Sequence, residues 1–337
     1  MSQMKYDILT FGRSSIDVYA KDIGAEFVDI NEFTASIGGS PVNIAVGAQR
    51  LGLKTAVLTA VGPDPVGDFI IHTLNKEGVS TDYIPTIDGT TSTAVICGII
   101  PPDKFPLVFY RDNAPDKKIN NDHVDQIDFK KFKSFLMTGT SLAVEPSRGA
   151  SFYAAQQAKK QNLPVFLDID FRAISWDDVR SFGITLKEFL PYCDVVMGTE
   201  EELLAMNVES SSEIKIKNSS ITSPEIQGDL QKSIQQVLDL GVKLLLVKTG
   251  PKGVDAYFSD GTKETIPGFP VQVVNVLGAG DAFAAGFVYG YTKGWDTYKS
   301  ARLANACGAW LVTKQSCCTD APNNKQIMDF IKHKGGF

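Results

Sequence analysis

Val276-Leu277-Gly278-Ala279-Gly280-Asp281-Ala282-Phe283 brings a glycine-rich turn, a carboxylate and the start of a small-residue helix to one point. Gly278 and Gly280 let backbone N–H groups approach an anion, and the open N–H groups and dipole of the following helix favour negative charge there. Asp281 is the odd member. A carboxylate beside a phosphate is repelled unless it has a task, and the evident task is accepting a proton from an attacking hydroxyl. Taken alone, the segment also reads as a loop ending in a capping aspartate. Phe283 stands where a Gly-x-Gly-x-x-Gly pattern needs its third glycine, so a dinucleotide fold is not indicated, and no Gly-Lys dipeptide occurs for a Walker A loop.

Outward from that turn, short apolar runs alternate with helical patterns, as in a buried parallel sheet with crossover helices. The pattern predicts strands at 6–12, 55–61, 135–140, 164–169, 193–197 and 244–248. Helices are expected at 41–51, 66–77, 147–161, 200–206, 229–240, 281–293, 297–313 and 323–333. The fold class is α/β: one doubly wound, mainly parallel sheet within a single domain spanning 1–337, its ligand at the carboxyl ends of the strands. Residues 17–37 and 91–111 are β-rich with no helix between neighbours, and are expected to form a small antiparallel excursion, either a lid or ordinary edge strands. The polar stretch 207–228 reads as a surface insertion.

The 337 residues, 43% hydrophobic, suffice for a full core, and a net charge of −6 argues against nucleic acid as partner. Five scattered cysteines without Cys-x-x-Cys spacing support neither a disulfide framework nor a zinc site. No signal peptide or bilayer-length apolar run is visible, so a cytoplasmic protein away from membranes is expected and the Asn218-Ser219-Ser220 sequon carries no meaning.

A second constellation, Gly38-Gly39-Ser40-Pro41-Val42-Asn43, lies where the first excursion rejoins the main domain. Its glycines permit close backbone approach and Asn43 offers both donor and acceptor to a sugar hydroxyl. With the late Gly-Ala-Gly-Asp element in the right order and separation, the chain resembles the PfkB/ribokinase family of carbohydrate kinases over essentially its whole length. The resemblance implies a ribokinase-like fold with a β-lid, ATP with Mg²⁺, and γ-phosphoryl transfer to a primary hydroxyl.

By that resemblance, Asp281 matches the catalytic base, and Gly278, Ala279 and Gly280 the anion hole. Asp17, Gly38, Gly39 and Asn43 match sugar contacts. Lys248, Thr249, Gly250 and Gly253 match the turn bordering the nucleotide, and Asn305 lies on the helix of its adenine side. Thr199-Glu200-Glu201-Glu202 matches the family's Asn-x-x-Glu element, with Glu202 near Mg²⁺ through water and Thr199 in place of asparagine. Asn275 stands where many members carry an aspartate beside a monovalent cation, which weakens the case for potassium and leaves it open. Dimerisation through the lid is a further implication.

Arg111, at the end of a lid strand, and Arg172, in Asp168-Ile169-Asp170-Phe171-Arg172, are placed to meet the sugar. A guanidinium fork suits a carboxylate, whereas a neutral sugar needs no buried cation. Each arginine also has a simpler reading: for Arg172 an ion pair with Asp168, Asp170 or Asp177, for Arg111 a solvated lid edge. The segments 12–19 (with Arg13) and 105–113 are similar to family members of inositol catabolism, implying 5-dehydro-2-deoxygluconate, phosphorylated at C6, as substrate. Kinases of 2-keto-3-deoxygluconate or fructose are the alternatives, and a non-catalytic sugar- or nucleotide-binding regulator is the reading from another class. The vicinal Cys317-Cys318 is expected only to pack near the nucleotide turn.

Overall fold

The computed structural model describes residues 5–101, 104–210, 213–215 and 225–337. The Asn218 sequon and most of the centre of the 207–228 insertion lie outside them. In chain order the first half holds β1 (Ile8–Phe11), β2 (Ser15–Ala20), β3 (Phe33–Gly38), α1 (Ser40–Leu51), β4 (Thr55–Leu58), α2 (Pro65–Glu77), β5 (Thr93–Cys97), β6 (Leu107–Tyr110), α3 (Asn121–Asp125), β7 (Phe135–Thr138), α4 (Ser147–Lys160) and β8 (Val165–Asp168). There follow α5 (Val179–Phe189), β9 (Val195–Thr199), α6 (Glu200–Ala205), β10 (Ile214–Lys215), β11 (Glu225–Ile226), α7 (Leu230–Asp239), β12 (Leu244–Lys248), β13 (Gly253–Phe258), β14 (Lys263–Pro267), α8 (Ala279–Thr292), α9 (Thr297–Leu311) and α10 (Asn324–His333).

The eight-stranded main sheet runs β14-β13-β12-β9-β8-β7-β1-β4. From β12 to β4 every pairing is parallel, and β13 and β14 add an antiparallel edge. The inner strands β1, β7 and β8 are buried at every position because helices cover both faces. Each fully buried Leu, Ile or Phe there contributes roughly 1.5–3 kcal/mol. All six expected strands and eight expected helices are present, shifted by a few residues at their ends. The β13–β14 hairpin, α5, the short α3 and the two-residue β10–β11 pair are additional: β13 lies between β12 and the edge strand β14, and α5 buries Phe182, Leu186 and Phe189 on one face.

The excursion is a four-stranded sheet of order β3-β2-β5-β6. Its two outer pairings are antiparallel, as expected, while the central β2–β5 pairing is parallel because the chain passes through α1, β4 and α2 between them.

Close helix packing fixes the position of the Gly-Ala-Gly-Asp turn. A Cβ on Gly286 or Gly290 of α8 would lie 2.8 Å from the Cα of Ala304 or Ser300 on α9, and one on Gly47 of α1 would lie 2.9 Å from Ala285 Cβ. Glycine at these positions lets α1, α8 and α9 seat against one another without gaps. The N-terminus of α8 is thereby held at the carboxyl edge of the main sheet, next to the small sheet. Among the described residues no helix is long and apolar enough to cross a membrane.

Candidate active site

Two recesses meet at that N-terminus. The smaller lies between the small sheet and α1 and is lined by Arg13, Asp17, Tyr19, Asn43 and Cys317 among others. The larger, roughly 550 Å³ in volume, runs past the ends of β8, β9 and β12 toward α9. Arg172, Leu277, Gly278 and Asp281 line both. The division suits a small polyol on one side and a nucleotide on the other.

Gly278 caps α8 in a left-handed conformation (φ 78°), and a Cβ there would lie 2.3 Å from Cys317 Cβ, so the turn needs glycine for both backbone and space. Amides of the first turn have no carbonyl four residues back within the helix and are open to a ligand. Asp281 lies in that turn. Its Oδ1 accepts from Ser40 Oγ at 2.6 Å and its Oδ2 from Asn43 Nδ2 at 2.7 Å. Burial, with the nearby Asp170 charge, raises its carboxyl to about pH 6 against the two hydrogen bonds that favour ionisation. The carboxylate is therefore ionised at neutral pH yet is a far better proton acceptor than an ordinary aspartate.

Asn43 Oδ1 is buried without a partner. Asp17 Oδ1 accepts from Ser15 Oγ at 2.6 Å and Oδ2 from Tyr19 Oη at 3.1 Å, and burial raises its carboxyl above the usual range. Gly38 does not line the recess. Its Cβ would fall 2.1 Å from Asp17 Oδ2, so its absence leaves the carboxylate its place. Gly39 (φ 99°) lets the chain pass Arg13, whose carbonyl oxygen would lie 2.4 Å from a Cβ.

Arg13 and Arg172 converge on Asp170. Arg172 Nη2 lies 2.6 Å from Asp170 Oδ1 and Arg13 Nη2 3.7 Å from Oδ2. Asp170 is buried and holds a left-handed backbone (φ 41°), a sparsely populated conformation for a residue with a Cβ. Burial would lower the Arg172 guanidinium, but Asp170 and Glu202 outweigh it and hold Arg172 above its usual range. Two guanidinium groups share one carboxylate, and Arg13 Nε is buried without a partner.

Arg111 is not brought to the recess. Its Nη2 pairs with Asp116 at 2.9 Å, and neither residue lines either recess. The partner sits five residues on in a 3-10 turn, and the pair stands apart from the residues that line the recesses. The vicinal pair is buried, with Cys317 packed beside Gly278 as expected, and Cys317 in addition lines the smaller recess, against Tyr19 Oη and Asn43 Nδ2.

On the nucleotide side, Lys248, Gly250, Gly253, Thr199 and Asn305 line the cleft, while Thr249 does not. Thr249 instead closes the turn, its N–H donating to Gly253 O at 2.9 Å. Asn305 Nδ2 donates to the carbonyls of Ile266 and Pro267 and ties α9 to β14. Thr199 and Glu202 form a capping box that starts α6: Glu202 N donates to Thr199 Oγ1, and Thr199 N to Glu202 Oε2 at 2.8 Å. Glu202 Oε1 accepts from Phe171 N at 3.1 Å. With each oxygen already accepting one amide, Glu202 fits a water-mediated role toward Mg²⁺ better than direct ligation, in keeping with the hydration that ion retains. Among the described residues no group of three or more His, Cys, Asp or Glu could hold a metal by itself. Asn275 is tied into its turn, its Nδ2 donating to Gln315 O at 2.7 Å and its Oδ1 accepting from Leu277 N at 3.0 Å, which leaves a monovalent cation open.

Sequence reasoning passed over Ser40 as a partner of Asp281 and Asp170 as the link between two arginines. Ser40 stood inside the quoted glycine motif, and Asp170 beside Arg172.

A 5-dehydro-2-deoxygluconokinase of Clostridium beijerinckii is 33% identical to this chain over 331 residues, 98% of this chain and 94% of that one. An E. coli protein crystallised with ATP and Mg²⁺ superposes with a TM-score of 0.84 at 24% identity, covering 97% of this chain and 99% of the other. Fructokinase of Xylella fastidiosa with bound ATP gives 0.81 at 25%, covering 98% and 99%. The model of the pfkB family carbohydrate kinases matches residues 5–324, and the chain belongs to that family of sugar kinases.

Proposed function

We propose that this sugar kinase transfers the γ-phosphoryl group of ATP to the primary C6 hydroxyl of a keto-deoxy sugar acid, 5-dehydro-2-deoxygluconate, as in inositol catabolism. The observation that carries the chemistry is Asp281, gripped by Ser40 and Asn43 in the first turn of α8 where the two recesses meet. The sugar lies in the smaller recess, its hydroxyls on Asp17 and on the unpartnered Asn43 Oδ1. Asp281 takes the proton of the attacking hydroxyl. Amides of the Gly278–Asp281 turn hold the charge that develops on the phosphoryl oxygens. Mg²⁺ arriving with ATP adds Lewis-acid charge neutralisation at the phosphates, and Glu202 and Thr199 border that region.

Arg13 and Arg172 support an acidic substrate. Arg172 is held by Asp170, whereas Arg13 reaches Asp170 only at 3.7 Å and keeps a buried Nε without a partner, a cation that a substrate carboxylate completes; the Clostridium relative's name denotes such a substrate. Arg111 spends its charge on Asp116 and is not needed. The small sheet acts as lid to a single domain, excluding water from the transfer. Phe33, Val108 and Tyr110 expose apolar surface on it, which supports pairing of two chains through their lids, read by light scattering as twice the chain mass. ATP supply and five unpaired cysteines agree with work in the cytoplasm.

The test is a panel of sugar acids and neutral sugars with Mg-ATP, following ADP release. The expected kcat/KM for 5-dehydro-2-deoxygluconate exceeds that for fructose by at least about 100-fold, since a site built around buried charge rejects a substrate that leaves it unpaired. Comparable constants would remove the substrate assignment. No ADP release with any sugar would favour a regulator on a kinase scaffold.

A further inference from the structure

Lys248 ends β12, and its side chain has an environment that its place in the turn does not explain. The side chain is only 14% exposed, and Nζ lies 3.1 and 3.3 Å from the two carboxylate oxygens of Asp168 at the end of β8. The same Nζ is 3.2 Å from where a Cβ on Gly280, in the first turn of α8, would sit. A cation is disfavoured at the positive end of a helix. Lys248 is therefore held against the helix field by Asp168, and an anion bridging the ammonium and the α8 amides would relieve that conflict. An ammonium carries three donors; two directions are taken up by Asp168, and a third remains for such an anion. Among the residues lining the larger cleft the only cations are Lys248 and Arg172, and Arg172 is engaged by Asp170.

We propose that Lys248 is a catalytic residue that contacts the transferring phosphoryl group from the nucleotide side, opposite Asp281, and that Asp168 is the positioning residue that aims it. This rests on the kinase function proposed above. The ammonium adds a mobile point charge to the fixed amides of the turn, where negative charge spreads over the phosphoryl oxygens as the bond to ADP loosens. No covalent bond to Lys248 forms and no proton leaves it. Contact with the terminal phosphoryl group, rather than with ADP, distinguishes this role from general nucleotide binding. A Cβ at Gly280 would stand 3.2 Å from Nζ, so a side chain there would ask the ammonium to shift by a few tenths of an ångström.

The test compares Lys248→Met with wild type in two measurements. Calorimetric titration with ADP and with a β,γ-imido ATP analogue, each with Mg²⁺ and without sugar, should show the analogue losing about 10-fold in affinity and ADP less than about 3-fold. Steady-state turnover should lose about 100-fold or more in kcat with the sugar KM within about twofold. Lys248→Arg should recover part of both, and Asp168→Asn, which keeps a hydrogen-bond acceptor, should lower kcat about 10-fold without changing ADP affinity. Should Lys248→Met fail to fold because Asp168 is left buried and unpaired, the Lys248→Met/Asp168→Asn double variant removes both charges and takes its place. Equal loss of ADP and analogue affinity, or wild-type kcat and analogue affinity in either folded variant, would reduce Lys248–Asp168 to a structural ion pair and overturn the proposal. The nucleotide titrations use no sugar, so they remain decisive if the sugar acid proves to be the wrong substrate.

Discussion

Asp281→Asn should cripple turnover and stabilise the fold at once. The carboxyl stands near pH 6 in the folded protein against an ordinary value of 3.8. About two units, at 1.36 kcal/mol each, give an upper limit of roughly 3 kcal/mol, and partial contact with solvent in the recess reduces this to about 1–2 kcal/mol. The sign follows from linkage. A raised folded value means the native state binds this proton more tightly than the unfolded chain, so the fold is favoured below about pH 4 and loses that advantage as pH rises through 6. Replacing the ionised group removes the cost only where it exists. Asparagine keeps an acceptor for Ser40 Oγ, and Asn43 can flip its amide so that Oδ1 accepts from the new NH₂ while Nδ2 donates to the sugar hydroxyl in its place. Thermal unfolding should rise by about 1.5–3 °C at pH 8 and not at pH 4, while kcat falls by two or more orders of magnitude with little change in sugar KM. Unaltered turnover would make Asp281 a helix cap and nothing more; a melting point several degrees lower at pH 8 would show that the charge is not held at a cost.

For the wild-type enzyme, kcat/KM for the sugar should climb about tenfold per pH unit up to about 6 and then level, as Asp281 ionises; a profile flat to pH 4.5 would contradict the assigned base. Arg172→Ala should raise KM for sugar acids by about 10-fold or more relative to neutral sugars, whereas Arg111→Ala should shift both alike, because Arg111 pairs with Asp116 away from the recess. A selective loss in the Arg111 variant would mean that the lid carries the carboxylate contact. Gly38→Ala should displace the Asp17 carboxylate, raising sugar KM by about 10-fold while leaving ADP affinity unchanged by calorimetry; an unchanged KM would separate Asp17 from the sugar.

The main sheet was legible because its strands are buried on both faces and read as unbroken apolar runs, and the helices between them carry clear caps and periodicity. The β13–β14 hairpin escaped notice because its alternation is brief, with Lys263, Glu264 and Asp255 interrupting it. Asp281 and the 38–43 segment were legible because their chemistry depends on local backbone. Glu202 was visible only as a spacing; that its carboxylate is committed to two backbone amides depends on Phe171, thirty-one residues away. Arg111 misled for the same reason in reverse. Its role depends on which carboxylate reaches it first, and Asp116 does so through a turn whose geometry no hydrophobic pattern encodes. Cys317 reached the smaller recess through a chain reversal after α9 that brings it against Tyr19, nearly three hundred residues earlier.

The central claim is that Asp281 and the α8 turn pass a phosphoryl group from ATP to the primary hydroxyl of a sugar acid. Phosphorus and carbon NMR of a reaction containing 5-dehydro-2-deoxygluconate, Mg-ATP and the wild-type chain tests it most directly. One new phosphomonoester, coupled to C6 and formed in step with ADP, is the predicted result. A phosphate on another carbon, or ADP accumulating with inorganic phosphate and no phosphosugar, would contradict it.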